Sequence, residues 1–333
     1  MKIIYKIILP FYFLLLISNA NGSDETFEVW LKSFKKIALK NGISERTFTI
    51  SMSKVKFNPK VIEYDRFQPE FYEDTNTYIT KRTSNKKVKN AIKVYKQNKI
   101  LIDKIENDYS VEKELLLALM GIETNFGKYL GKMDILSSLA TLSFDKRRSG
   151  FFTSELITIL KLIDDGVVDH SILYGSWAGA FGNFQFMPTT IKNYAVDYDN
   201  NNIIELKNLE DSFASAANYI KKIGWKRNQS CFKKVKLSDK IPKKYLNTSA
   251  KKIKNKISFN KIKKYLIEPN NYNVKDKNIV GIITPDKDII PDAENLSPAY
   301  LTFDNYELVL KWNRSLRFAL AVCTLKEKIS DEL

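Results

Sequence analysis

The chain has 333 residues, of which 44% are hydrophobic and 12% aromatic, with 12 glycines and 9 prolines. This composition is typical of a packed globular protein of roughly two domains, and it excludes a wholly disordered or collagen-like chain. The single histidine, His170, excludes a zinc site of the HExxH kind and leaves one residue for any Ser/His or Cys/His nucleophilic centre. The net charge of +16 favours polyanionic partners but does not show which one. A proteome-wide bias towards lysine, asparagine and isoleucine would account for the charge equally well.

Residues 1–20 have the pattern of a cleaved secretory signal. Two lysines precede an apolar run over residues 7–17, and small residues end the segment at Ser18 and Ala20. The run is shorter than the roughly 20 residues that a spanning helix needs, and no cysteine follows for lipidation. We therefore predict an exported protein without a lipid anchor, periplasmic in a host with an outer membrane, with a mature charge of +14.

Hydrophobic periodicity divides the mature chain into four predicted parts with a mainly α (α+β) fold. Apolar residues recur at helical spacing over residues 24–107, which predicts a helical domain. Residues 108–227 keep this spacing and are more apolar, which predicts the central core. A lysine-rich stretch and short β-like runs predict a small β-containing insertion over residues 228–300. Residues 301–333 then return to the core and end in an amphipathic helix.

The two cysteines, Cys231 and Cys323, lie 92 positions apart. Export permits a disulfide between them, because oxidising compartments preserve such bonds. Two buried free thiols fit the same sequence equally well.

Glu123 is the most informative carboxylate. It follows the apolar run over residues 115–122 and precedes a Thr-Asn-Phe-Gly turn. Burial disfavours the charged form of a carboxyl group, so its pKa should be raised, as a general acid at neutral pH requires. A capped glutamate at a helix end is the alternative reading of this stretch.

A second informative stretch covers residues 175–188, where three glycines within eight residues allow close backbone approach. Ser176, Asn183 and Gln185 supply neutral donors and acceptors beside aromatic rings, a combination that suits a sugar. A tight loop between helices is the alternative.

Asp197, Asp199 and Asn201 occupy alternating positions, as in the first half of an EF-hand calcium loop. The match is imperfect, because the sixth position is Asn202 in place of glycine, although asparagine can adopt a positive φ. A calcium site and a polar turn both remain open.

Arg147 and Arg148 lie beside two phenylalanines. Their guanidinium groups could bind carboxylates in a bidentate manner, or they could form a solvated helix start.

Four motifs together resemble the MltB-type lytic murein transglycosylases of bacterial cell walls. They are the Gly-Ile-Glu-Thr-Asn-Phe-Gly run at residues 121–127, residues 140–144, residues 175–188 and residues 195–197. Their order and spacing match, and residues 65–71 and 310–315 extend the resemblance over nearly the whole mature chain. The resemblance implies a lysozyme-like helical core with an accessory helical domain and a small β domain.

The resemblance also implies a mechanism with one carboxyl group, that of Glu123. It protonates the glycosidic oxygen between N-acetylmuramic acid and N-acetylglucosamine. The substrate's own N-acetyl group stabilises the charge at C1, and the C6 hydroxyl then attacks C1 to give a 1,6-anhydro ring. Ordinary glycosidases use two carboxylates and admit water.

The resemblance further assigns residues to substrate binding. Ser176, Gln185 and Asn313 would contact sugar, Arg147 and Arg148 would face stem-peptide carboxylates, and Tyr78 is a looser match to a groove tyrosine. In some relatives the loop at the position of Asp197, called the aspartate loop below, binds calcium. In this sequence the ligands would be Asp197, Asp199, Asn201 and Asp211. Phe181, Phe184 and Phe318 depart from the residues that are common at these positions in the family.

The preferred interpretation is an exported lytic transglycosylase that acts on peptidoglycan glycan strands and requires no cofactor, with calcium in a structural role only. A hydrolytic muramidase and a non-catalytic wall-binding protein are the alternatives. A cell-wall synthesis or division complex is allowed as a further partner. A nucleic-acid partner is not expected, because the positive net charge is the only feature of the sequence that favours one.

Overall fold

The computed structural model describes residues 26–67, 72–287, 290 and 296–333. The predicted signal segment, residues 1–20, lies outside these ranges. Within them, no helix combines the length and the apolar character needed to cross a membrane.

The described residues of the first segment with helical periodicity, 26–67 and 72–109, fold into six α-helices. Their starts follow ordinary capping chemistry: the Ser44 hydroxyl accepts from Thr47 N (3.1 Å), and the Asp74 carboxylate accepts from Thr77 N (3.0 Å). Pro59 begins the third helix, where its missing N–H is not needed. The helices are α1 (Phe27–Lys40), α2 (Glu45–Met52), α3 (Pro59–Arg66), α4 (Thr75–Arg82), α5 (Asn85–Gln97) and α6 (Lys99–Tyr109).

The helix α7 (Lys113–Thr124) is the centre of the molecule. Six consecutive residues, 115–120, are at most 2% exposed, because helices pack against this helix from several sides. Buried apolar residues from Phe27 to Ile329 form one continuous cluster around it. The remaining elements of this part are β1 (Met133–Asp134), α8 (Ile135–Phe144), α9 (Ser149–Asp164), β2 (Tyr174–Gly175), α10 (Pro188–Tyr194) and α11 (Leu209–Lys222).

A mixed sheet occupies the lysine-rich part of the sequence. Its strands are ordered β3-β7-β6-β4, with β5 also paired to β6, and the pairing of β4 with β6 is parallel. Among the described residues between Val235 and Leu301, ten buried apolar residues form a second small core. The elements are β3 (Phe232–Val235), β4 (Leu246–Asn247), β5 (Ile257–Ser258), α12 (Phe259–Ile262), β6 (Ile279–Ile283) and β7 (Ala299–Thr302).

Two helices close the chain, α13 (Asp304–Trp312) and α14 (Leu316–Ser330), and α14 packs against α7. The predicted closing helix and the β-like run near residue 279 are therefore confirmed. Cys231 and Cys323 form a disulfide that joins the start of the sheet region to α14, which settles the question that the sequence left open. The four predicted domain boundaries stay a prediction.

A buried polar network joins α4, α14 and the loop after β6. Arg317 is 3% exposed and donates to Asp286 (2.9 Å) and to Thr75 Oγ1 (3.2 Å). Asp286, 6% exposed, also accepts from Thr75 N at the first turn of α4 (3.0 Å). Ionic groups this deeply buried need such partners, so the network fixes the sheet region to the helical core.

Candidate active site

Glu123 lies on the last turn of α7. The helix ends there because Asn125 and Phe126 take positive φ values of 50° and 61°, which turn the chain away. Thr124 secures this end by donating from its hydroxyl to Asn183 O (2.9 Å) and accepting from Gly127 N (3.0 Å). Thr124 therefore anchors the end of the helix directly after Glu123.

The carboxyl group has one direct hydrogen-bond partner among the described residues. Trp312 Nε1, at the end of α13, donates to Glu123 Oε1 at 2.9 Å. Burial raises the pKa of Glu123 from 4.5 to about 7, and the Trp312 hydrogen bond partly opposes that rise by favouring the ionised form. The raised pKa predicted from the sequence is confirmed, and the group can both give and accept a proton near neutral pH.

The sequence analysis did not identify Trp312 as a site residue. Its indole stacks on Tyr219, with ring centroids 5.0 Å apart, and meets Phe186 edge-on at 5.4 Å. The Tyr219 hydroxyl donates to Lys311 O (3.0 Å), which fixes the chain beside the tryptophan. The signal available was adjacency, because Asn313 was named and half-buried Trp312 precedes it directly.

Replacing Trp312 by Phe should shift the pH dependence of the reaction. The variant retains an aromatic ring and loses the N–H that stabilises ionised Glu123, so the pKa of Glu123 should rise further. We expect the alkaline limb of kcat/KM to move to higher pH and the maximal rate to fall about tenfold through lost orientation. A pH-rate profile on purified peptidoglycan measures both effects.

Tyr219→Phe is the matched control for Trp312→Phe. It removes the hydroxyl that holds Lys311 and leaves the ring under the indole. It should lower stability slightly without moving the alkaline limb. If both variants give the wild-type profile, Trp312 has no influence on the carboxyl group.

The 175–188 stretch forms a tight turn rather than an open loop. Phe181 and Phe186 pair as a β-bridge through backbone hydrogen bonds of 3.1 and 2.9 Å. Gly182 takes a φ of 80°, and a Cβ there would lie 2.5 Å from Leu206 O, so this glycine is required by both conformation and space. The backbone oxygen of Asn183 in this turn accepts the hydrogen bond from the Thr124 hydroxyl, so the turn lies against the end of α7.

Ser176 and Gln185 are both half-buried at this turn and have hydrogen-bonding capacity to spare. The Ser176 oxygen accepts from Ala180 N (3.0 Å), which leaves its hydroxyl hydrogen to donate. Gln185 Nε2 donates to Leu130 O (3.2 Å) and Gly182 O (3.0 Å), whereas its side-chain oxygen accepts no hydrogen bond from the described residues. Asn183, by contrast, is 3% exposed, and its Nδ2 donates inside the protein to Lys207 O and Ser212 Oγ (3.0 Å each).

Arg147 and Arg148 precede α9 and share one buried partner that the sequence analysis missed. Arg147 Nε donates to Asp65 Oδ2 (2.8 Å), and Arg148 pairs with the other carboxylate oxygen. Asp65 is 2% exposed, whereas both arginine side chains remain at least 40% exposed. One carboxylate between two guanidinium groups leaves net positive charge on the outward side.

Three aromatic positions do not face solvent. Tyr78, on α4, is 5% exposed, and the Arg82 guanidinium covers its ring at 3.5 Å from the centroid. Phe181 and Phe184 are each 2% exposed and belong to the core. The groove role of Tyr78 stays a prediction.

The aspartate loop brings three carboxylates together. Ligand atoms of Asp197, Asp199 and Asp211 all lie within 4.8 Å of one another. Asn201 N donates to both Asp197 and Asp199 (3.1 Å each), and Asn202 has the positive φ expected for it, 70°. Partial desolvation, together with the charges of Asp211 and Asp197, raises the pKa of Asp199.

Comparison with known families identifies the family of the chain. The family model described as the transglycosylase SLT domain matches residues 26–327. The chain belongs to this family. The expected resemblance and the lysozyme-like, helix-rich fold are therefore confirmed.

Individual relatives support the same family. The membrane-bound lytic murein transglycosylase B of Escherichia coli is 40% identical over 139 residues, which cover 41% of this chain and 38% of that protein. The crystal structure of SltB3 from Pseudomonas aeruginosa in complex with NAG-anhNAM-pentapeptide is 30% identical, with a TM-score of 0.79 over 92% of this chain and 80% of that chain. The Escherichia coli lytic transglycosylase Slt35 in complex with calcium is 25% identical, with a TM-score of 0.73 over 91% and 93% of the two chains.

Proposed function

We propose that this protein is an exported lytic transglycosylase that cleaves the bond between N-acetylmuramic acid and N-acetylglucosamine in peptidoglycan and leaves 1,6-anhydro ends. The observation that carries the proposal is Glu123, a carboxyl group with a pKa of about 7 held by one tryptophan N–H. The family of the chain supports peptidoglycan as the substrate class.

In the proposed mechanism Glu123 acts twice. The protonated carboxyl group gives its proton to the glycosidic oxygen, and the bond from that oxygen to C1 breaks. The substrate's N-acetyl oxygen stabilises C1, and the resulting Glu123 carboxylate then takes the proton of the C6 hydroxyl as that oxygen bonds to C1. Trp312 stabilises the carboxylate between the two steps. The proton returns to Glu123, so the group is ready for another turnover.

A single-carboxylate route fits the surroundings of Glu123. Only burial and Trp312 shift its pKa, with no contribution from a second carboxylate among the described residues. A hydrolase with two carboxylates places them roughly 5 to 9.5 Å apart, where their charges interact. A hydrolytic muramidase is the alternative, and digestion in water enriched in ¹⁸O decides between them. The proposal predicts no incorporation into the released ends, whereas one ¹⁸O per cleavage means hydrolysis.

The substrate contacts follow from the free capacity of the site residues. Ser176 would donate to sugar oxygens and the Gln185 amide oxygen would accept from a sugar hydroxyl or amide. Asn313 follows Trp312 and would reach the same sugar. Arg147 and Arg148 would face stem-peptide carboxylates with the charge that Asp65 leaves uncompensated.

We also propose that the aspartate loop holds a structural calcium ion. The donor set fits a hard cation, because Asp197, Asp199 and Asp211 converge and the side-chain oxygen of Asn201 lies in the same turn. Desolvation and, to a smaller extent, repulsion from Asp211 and Asp197 raise the pKa of Asp199, and a bound cation would offset that repulsion. The ion would order the turn and would take no part in the chemistry.

Calcium should therefore raise the melting temperature. Saturating Ca²⁺ should stabilise the wild-type protein by about 3 °C or more, and Asp197→Ala should abolish the rise. Differential scanning calorimetry with and without EDTA measures it. Asp239→Ala, at an exposed aspartate outside the loop, is the control and should keep the full shift. An equal response in wild type and Asp197→Ala would make the loop a plain turn.

A further inference from the structure

A cavity of about 610 Å³ lies between the sheet region and the loop that follows α11, and its lining includes none of the residues assigned to the cleavage site. Lys226, Lys233, Lys275 and Lys277 line it, against Asp304 as the one carboxylate among the described lining residues. Lys226 pairs with Asp304 at 2.7 Å. Lys275 and Lys277 make no ion pair within the described part of the chain, so the cavity carries uncompensated positive charge.

The charge around this cavity is concentrated rather than spread along the chain. Residues 228–300 hold sixteen lysines and seven acidic residues, a net charge of +9 out of +16 in about a fifth of the length. The acidic Glu327 attracts Lys233 from the neighbouring helix and offsets part of that charge. A lysine-rich composition explains why lysines are frequent. It does not explain why lysines from separate chain segments line one concave surface.

One wall of the cavity is rigidly built. Asn305 is fully buried, and its amide donates to Lys226 O (2.7 Å) and Gln229 O (3.0 Å) while its oxygen accepts from Lys226 N (3.0 Å). Asn228 N donates to Glu112, 5% exposed, at 2.9 Å. A wall ordered in this way loses little conformational freedom when a ligand binds.

Four residues with amide side chains also line the cavity, Asn228, Gln229, Asn273 and Asn278. Lysine ammonium groups and neutral amides together match a short peptide that carries carboxylates, whereas a flat bilayer surface would not enter a concave site. We propose that this cavity binds the carboxylate-bearing stem peptides of peptidoglycan away from the cleavage site, and so retains the enzyme on the polymer. The inference rests on the proposed function.

Sedimentation with purified sacculi tests the inference. The full mature chain carries Glu123→Gln so that the polymer is not digested during the measurement. The cavity variant adds Lys233→Gln, Lys275→Gln and Lys277→Gln, and the matched variant adds Lys251→Gln, Lys252→Gln and Lys261→Gln, three exposed lysines outside the cavity lining. Both lose the same charge. We expect the cavity variant to bind about tenfold more weakly and the matched variant to change less than about twofold.

Two further binding substrates, stripped glycan strands and anionic vesicles, identify the ligand. Glycan strands stripped of stem peptides by an amidase should bind all variants equally, and vesicles of anionic phospholipid should not separate the two triple variants. Equal losses in both triple variants, no loss in either, or a selective loss on vesicles or stripped glycan would each overturn the inference. The active wild-type protein is assayed in parallel, and failure to release anhydro fragments would instead contradict the proposed function.

Discussion

Glu123→Gln should reduce the release of fragments from peptidoglycan by about 10³-fold or more. Glutamine has nearly the same shape, and its oxygen can still accept from Trp312 Nε1, so the local structure should persist. It cannot donate a proton to the glycosidic oxygen or remove one from the C6 hydroxyl. Turbidity of a sacculus suspension over time measures the loss. Glu114→Gln, on the first turn of the same helix, is the control and should retain activity.

The stability of the Glu123→Gln variant provides an independent check on the raised pKa. The pKa of Glu123 is raised from 4.5 to about 7, so between these values the folded protein holds more protons than the unfolded chain. The free energy of unfolding should therefore fall as pH rises through this window. Glutamine does not titrate, so the variant should be more stable than wild type at about pH 8, and the gap should close below about pH 4. A gap independent of pH would contradict the raised pKa.

Arg317→Met should lower the free energy of unfolding by about 3 to 5 kcal/mol. The substitution leaves the Asp286 carboxylate buried beside Thr75 without its guanidinium partner. Methionine fills most of the volume, so the loss reports the uncompensated charge rather than a cavity. Urea denaturation followed by circular dichroism gives the value. Lys36→Met, at an exposed lysine of α1, should stay within about 0.5 kcal/mol of wild type.

A double-mutant cycle separates the ion pair from its surroundings. Asp286→Asn removes the negative charge and keeps an oxygen that can accept from Thr75 N. The double variant Arg317→Met/Asp286→Asn should lose less free energy of unfolding than the two single variants lose in sum. The reason is that the double variant contains neither charge, whereas each single variant leaves one charge unpaired. Strict additivity would mean that the two groups do not depend on each other.

The sequence was sufficient for features that depend on neighbouring residues. The apolar run before Glu123 predicted a desolvated carboxyl group, and the raised pKa follows from that desolvation. Asn202 was expected to tolerate a positive φ and has one. Strand β6 and helix α14 form where a short β-like run and helical periodicity indicated them. Each of these depends on a local pattern, which a single sequence records directly.

Features that join distant segments could not be predicted in this way. Trp312 and Glu123 are 189 positions apart, and no local pattern pairs them. Asp65 lies more than 80 positions before the arginines that it orients, in a stretch noted only for its resemblance to the family. The Cys231–Cys323 bond depends on the approach of α14 to the sheet region, which periodicity does not encode. These pairings are set by how the helices pack.

Mass spectrometry of the fragments released from purified peptidoglycan tests the central claim most directly, with the mature wild-type protein and Glu123→Gln side by side. Anhydro and reducing ends differ by the mass of one water. We predict fragments with anhydro-muramic ends from the wild type and none from Glu123→Gln. Reducing ends from the wild type would make the protein a hydrolase, and anhydro ends formed equally by Glu123→Gln would remove Glu123 from the chemistry.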